Sequence, residues 1–265
     1  HIPFPPTMPS ADVLHPVSLL LSMAGLIIGA LSLGGTHQDA LRWGYGKFEL
    51  NTGCKNEFTL GLNWYKIDNS GDCEDVLPGS VGGTNGGGFT NTAACNVDFY
   101  GDSSNAMCRS CADVSLFIIP AISIACFMIP FASIGIIGRL NKVPDSVSQA
   151  SGVKTFTTII LLLGSLLFML SFTLFIVGCQ NIFISYLDTV GQSDEVEGLG
   201  YSSSWDMGRG LILCIVAAGV MGLAAFIQIC LPIVPPEEIT KDVAKDVEMD
   251  RAEVKKEEQH GNVEG

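Results

Sequence analysis

Residues 155–179 read TFTTIILLLGSLLFMLSFTLFIVGC, a run without one Asp, Glu, Lys, Arg or His. At ~1.5 Å of rise per residue, a helix of that length crosses a hydrocarbon core of roughly 30 Å. Three more runs of the same kind, 16–35, 116–138 and 211–234, are equally free of ionisable side chains. No water is available inside a bilayer, so each run has to satisfy its own backbone, and helix is the form that does so. The 265-residue chain is 15% charged and has a positive mean hydropathy, a balance foreign to ordinary soluble domains. The sequence therefore predicts a membrane protein with four spans. The first run is read as a span and not a leader. No Lys or Arg precedes it, and no small-x-small cleavage site follows cleanly.

Five polar segments surround the spans: 1–15, 36–115, 139–154, 180–210 and 235–265. The net charge of −13 is unevenly divided among them: segment 1–15 carries −1, loop 36–115 carries −5, loop 180–210 carries −4, the tail carries −5 and loop 139–154 carries +2. Basic residues in short loops stay on the cytoplasmic side. Arg139, Lys142 and Lys154 therefore place 139–154 inside, both termini with it, and 36–115 and 180–210 outside. The expected location is the plasma membrane. Cysteine use agrees, since Cys54, Cys73, Cys95, Cys108 and Cys111 fall in the first outer loop, where disulfides persist. Five thiols in one loop form at most two bridges, and spacing leaves their pairing open.

Within that loop, Phe58, Leu60, Leu62 and Trp64 alternate with polar or small residues, a strand period with one apolar face. Arg42–Leu50 is a second candidate strand and Phe89–Tyr100 a third. Gly79–Gly88, with six glycines, reads as a mobile insert. A small antiparallel sheet held by disulfides follows, because so thin a core needs the cross-links.

Trp43 after the first span, then Gly61-Leu62-Asn63-Trp64, then Cys73 and Cys95, resemble the W…GLW…C…C motif of the claudin and peripheral-myelin-protein superfamily. Asn63 interrupts GLW here, and the cysteines are more widely spaced. These departures suggest a distant member, of the kind of the claudin-like proteins of the euglenoid pellicle. The resemblance implies a left-handed four-helix bundle carrying a disulfide-linked sheet formed by the first outer loop. It also implies that Trp43, Gly61, Leu62 and Trp64 anchor the sheet to the helix ends, and that Cys73 and Cys95 form the staple, with Cys54, Cys108 and Cys111 as further bridging residues. The function it implies is structural: lateral self-association into oligomers or strands that organise a junction or cell surface. A cation-preferring pore using Asp68, Asp72 or Asp75 is the alternative, and a tetraspanin-like scaffold a third.

Small residues four apart favour close helix contact in lipid. They occur as Gly25 and Gly29, Ala30 and Gly34, Ala121 and Ala125, and Ala218 and Gly222. Packing among the four spans is their expected use, with contacts between protomers second. Gln228, the strongly polar side chain of the fourth run, is expected to bond another helix. Pro120 and Pro130 should bend the second. No catalytic or metal constellation stands out: His1, His15, His37 and His260 are scattered, and Cys108-x-x-Cys111 has no second such pair. No enzyme activity and no cofactor are expected. The acidic balance argues against nucleic acid. Expected partners are the chain itself, the lipid bilayer and, through tail 235–265, a cytoplasmic adaptor.

Overall fold

A helix covers most of each apolar run in a computed structural model of the chain, which describes residues 11–51, 53–70, 84–88, 102–140, 147–182, 184–185 and 200–231. The helices are α1 (Ala11–Leu33), α2 (Asp102–Leu140), α3 (Val147–Phe175) and α4 (Arg209–Cys230). All four are long and apolar enough to cross a membrane. With 39 residues, α2 is ~58 Å long and projects beyond a hydrocarbon core of roughly 30 Å. It starts at Asp102, inside the segment the sequence assigns to the first outer loop.

Why these helices pack is visible in their buried positions. Along α2 they include Cys111, Ser115, Ile118, Ile122, Ala125, Ile129, Ala132 and Ile136, spaced alternately four and three apart, with Ser133 buried beside them. Pro120 and Pro130 fall on the exposed side of the same helix, which continues through both. The seam of α1 is Ser18, Ser22, Gly25, Gly29 and Ser32, and that of α3 runs Thr157, Leu161, Gly164, Phe168, Ser171 and Phe175. A period of 3.5 residues keeps one face of a helix toward its neighbours. In α1 that face holds only serine and glycine, so large side chains of other helices enter it. A Cβ on Gly29 would stand 2.8 Å from Cε1 of the Phe168 ring, and one on Gly25 would stand 2.7 Å from Met221 Sδ. Helix α1 packs on α2 and α4, and α3 packs on the same two, closing a ring.

The faces turned outward are apolar on all four helices: Leu20 is 70% exposed, Phe127 69%, Leu166 65% and Phe226 61%. Apolar exposure on that scale is stable only in lipid, and the chain is a multi-pass membrane protein.

Of the small residues singled out in the sequence, Gly25, Gly29, Ala125 and Ala218 are buried among the helices, while Ala121 and Gly222 are half-buried. Ala30 is exposed, and Gly34 faces Leu41 instead of another helix. Gly29→Ala is expected to destabilise the fold by about 1–3 kcal/mol through overpacking. Adding Phe168→Leu should recover part of that loss. A double-mutant cycle of unfolding in mixed detergent measures the coupling.

A five-stranded antiparallel sheet stands at one end of the helices, in the order β4-β3-β2-β1-β5. Its strands are β1 (Gly44–Leu50), β2 (Lys55–Leu60), β3 (Trp64–Ser70), β4 (Thr84–Gly88) and β5 (Tyr201–Met207). Three expectations are corrected here. The sheet does not come from the first loop alone, because β5 arrives from the segment between the third and fourth apolar runs and pairs with β1 along seven positions. The alternating stretch Phe58–Trp64 is two strands with a turn between them, since β2 ends at Leu60 and β3 starts at Trp64. The chain turns there because Gly61 donates its N–H to the Trp64 carbonyl (2.8 Å) while Leu62 donates to Gly35 O (3.1 Å). Lastly, part of the glycine-rich insert is itself a strand, since Thr84–Gly88 pairs with β3. The candidate strand Phe89–Tyr100 lies outside the described residues.

Candidate functional site

Helix ends leave backbone groups without intrahelical partners, and at the sheet end of this protein Trp43 serves two of them. Its indole Nε1–H donates to Ser32 O (3.0 Å) at the carboxyl end of α1. Its backbone carbonyl accepts from the Gly208 N–H (2.9 Å), and the Arg42 carbonyl accepts from the Gly210 N–H (2.9 Å), both at the amino end of α4. One residue thus supplies a donor where α1 has spare acceptors and an acceptor where α4 has spare donors. Trp43 is fully buried and meets the Phe175 ring of α3 edge-on, with centroids 5.1 Å apart. The slot it fills is made by two glycines: a Cβ on Gly35 would lie 2.8 Å from the indole nitrogen, and one on Gly210 would lie 2.7 Å from it.

Trp64 acts one turn further out, donating from Nε1 to Gly35 O (2.8 Å). A Cβ on Gly61 would stand 2.6 Å from the same Gly35 O, so a side chain has no room there. Leu62 is buried in the same cluster as Trp43, Phe175 and Leu211. Trp43, Gly61, Leu62 and Trp64 therefore come together where the sheet meets α1, α3 and α4.

Two residues that sequence reasoning did not single out complete this junction. Trp205, on β5, lies along Gly44 and Gly46 of β1, whose missing side chains make room for its ring. Its signal was the alternation Tyr201, Ser203, Trp205, Met207 just before the fourth run. Cys179 is the second: it forms a disulfide with Cys111, tying α3 to α2 across 68 residues. Cys111 is therefore not bridged within its own loop but to a cysteine at the end of the third run. A π-turn, Ile176–Gln180, is what aims it. The seam of α3 would otherwise continue from Phe175 to Gly178. One inserted residue shifts the register so that Cys179 takes the inward place. Gly178 lies against Val114, and its carbonyl accepts from Ser110 Oγ (2.6 Å). Cys54 is disulfide-bonded too. Its partner, like Cys73, Cys95 and the side chain of Cys108, lies outside the described residues.

The face of the sheet turned away from the helices carries three ion pairs: Lys47–Glu57 (3.0 Å), Lys55–Glu49 (2.7 Å) and Lys66–Asp68 (2.9 Å). These partly exposed pairs add little stability but leave that face charge-balanced. A hydrogen bond from Tyr45, and then Lys47, holds the Glu57 carboxyl below its usual range, while Glu57 and Tyr45 raise Lys47. Asp68, a candidate for selecting cations, is thus engaged by Lys66, and Asp72 and Asp75 lie outside the described residues.

At the opposite end, Gln228 links three helices. Its Oε1 accepts from Arg139 (2.7 Å) and its Nε2 donates to Ser18 Oγ (2.9 Å). Lys154 donates to Ile229 O (3.0 Å) and Leu231 O (2.6 Å), capping the carboxyl end of α4. Gln228→Leu removes the acceptor of a charged donor and should cost about 1–3 kcal/mol. Thermal unfolding in detergent would register it, and Gln228→Glu should be tolerated better.

Among the described residues no three His, Cys, Asp or Glu side chains gather as a metal set. Comparison with protein-family models and with curated proteins found no match.

Proposed function

We propose that this chain is a claudin-like structural protein of the plasma membrane, a left-handed four-helix bundle that associates with itself laterally into oligomers or strands. The observation that carries this reading is the junction: a sheet assembled from both outer segments and fixed to the helix ends by Trp43, Trp64 and Cys111–Cys179. A clamped sheet presents its edges, β4 and β5, in a constant orientation to neighbouring copies, which is what ordered assembly requires. The seams of four and three support the left-handed bundle. With the small-residue seam of α1 used inside the chain, lateral contacts fall to the exposed apolar faces and the sheet edges. The sheet stands outside the cell and both termini inside. Freeze-fracture imaging of full-length protein in liposomes tests the assembly: rows or arrays are the expected result, and dispersed single particles at every density would overturn it.

A further inference from the structure

At the sheet end of α3, polarity and burial are exchanged. The inward row Leu161, Gly164, Phe168, Ser171 and Phe175 and the outward row Leu166, Leu170, Thr173 and Val177 both advance by alternate steps of three and four. Continued as α-helix, the inward row would next take Gly178 and Ile182, and the outward row Gln180. The structure does the reverse. Gln180 is 9% exposed, and its Oε1 finds no partner among the described residues, while Ile182 is 36% exposed. The cause is the π-turn Ile176–Gln180, in which the Asn181 N–H reaches back to Ile176 O and not to Val177 O. That extra residue turns everything beyond it by about 100° around the helix axis.

A buried amide oxygen without a partner and an apolar side chain turned out of the core both count against this register. Two neighbouring residues of α2 hold it. Ser110 Oγ donates to Gly178 O (2.6 Å), and Cys111 is bonded to Cys179. Water can stand in for the serine hydroxyl, but nothing stands in for the disulfide. Gly178, at the pivot, carries no side chain to catch on Val114.

We propose that Cys111–Cys179 is a redox latch on a helix end with two registers. Oxidised, the pair holds the π-turn and keeps Cys179 inward. Reduced, the turn relaxes to α-helix: Gln180 swings out to water, Ile182 swings in to the core, and Cys179 leaves its buried place. A dithiol supplies the two electrons and two protons that return the pair to thiols, and departs as its own disulfide. The latch acts on the sheet as well. Strand β5 is the next described strand along the chain, so the register at the end of α3 sets the direction in which the chain starts toward it.

The test is an equilibrium titration of the full chain in detergent with dithiothreitol, read by peptide mapping so that the Cys54 bridge is counted separately. Gln180→Leu lifts the penalty on the oxidised register and puts an apolar side chain in water in the reduced one. Ile182→Gln changes little when oxidised and buries an amide when reduced. Two substitutions of opposite polarity should therefore both make the Cys111–Cys179 bond harder to reduce, by about tenfold in the dithiothreitol ratio at the midpoint. A bridge that only ties two helices together predicts no such shift from either. In Cys111→Ser the Cys179 thiol should react with a water-soluble maleimide, and adding Gln180→Leu should slow that reaction at least about tenfold. An unchanged midpoint in either variant, or an unreactive Cys179 in folded Cys111→Ser, would overturn the latch.

Discussion

Trp43→Ala is expected to destabilise the folded protein by about 3–5 kcal/mol, the cost of emptying a fully buried indole site. The loss has separable parts. Trp43→Phe keeps most of the ring against Phe175 but removes the Nε1–H that serves Ser32 O, and should cost about 1–3 kcal/mol. The backbone carbonyl that serves α4 survives both changes. Hydrogen exchange should therefore show early opening at the carboxyl end of α1 and along β2, with the first turn of α4 protected longest. If Trp43→Phe unfolds like Trp43→Ala, the indole hydrogen bond carries the junction and the ring packing does not.

Cys111→Ser, or Cys179→Ser, is expected to cost about 4 kcal/mol. The bridge spans 68 residues, and closing a loop of that length removes much of the freedom of the unfolded chain. Both variants should melt below the parent and above the temperature the parent shows in reductant, because reductant also opens the Cys54 bridge that the variants keep. Peptide mapping without reduction should recover the Cys111 peptide joined to that of Cys179. A Cys111 peptide joined to that of Cys108 would refute the arrangement, and with it the role of the π-turn in aiming Cys179.

These two sites differ in how legible they are in the sequence. Trp43, Gly61, Leu62 and Trp64 stand out as a spaced motif, because two of the chain's three tryptophans fall in it. What Trp43 does is not visible there, since its partners, Ser32 O and the Gly208 N–H, are backbone groups and every residue carries those. Cys179 is hidden for a different reason. In a run of apolar residues a cysteine reads as one more small buried side chain. The one-residue register shift that turns it toward Cys111 is a property of the folded helix end. Trp205 lies outside segment 36–115 and gains its meaning only from Gly44 and Gly46 on another strand.

Local composition alone determined that the chain crosses a membrane four times: an apolar run of ~20 residues has no other way to satisfy its backbone in lipid. Composition also determined that strands lie in the segment after the first span, because a two-residue alternation needs no knowledge of neighbours. Only the tertiary structure decided that β5 completes the sheet from the far side of two spans. It also decided that Gly61–Asn63 is a turn, and that the serines and glycines of α1 face Phe168 and Met221. Strand order, disulfide pairing and the packing of a small-residue seam depend on which distant segments are brought together, and no local window of the sequence contains both members of such a pair.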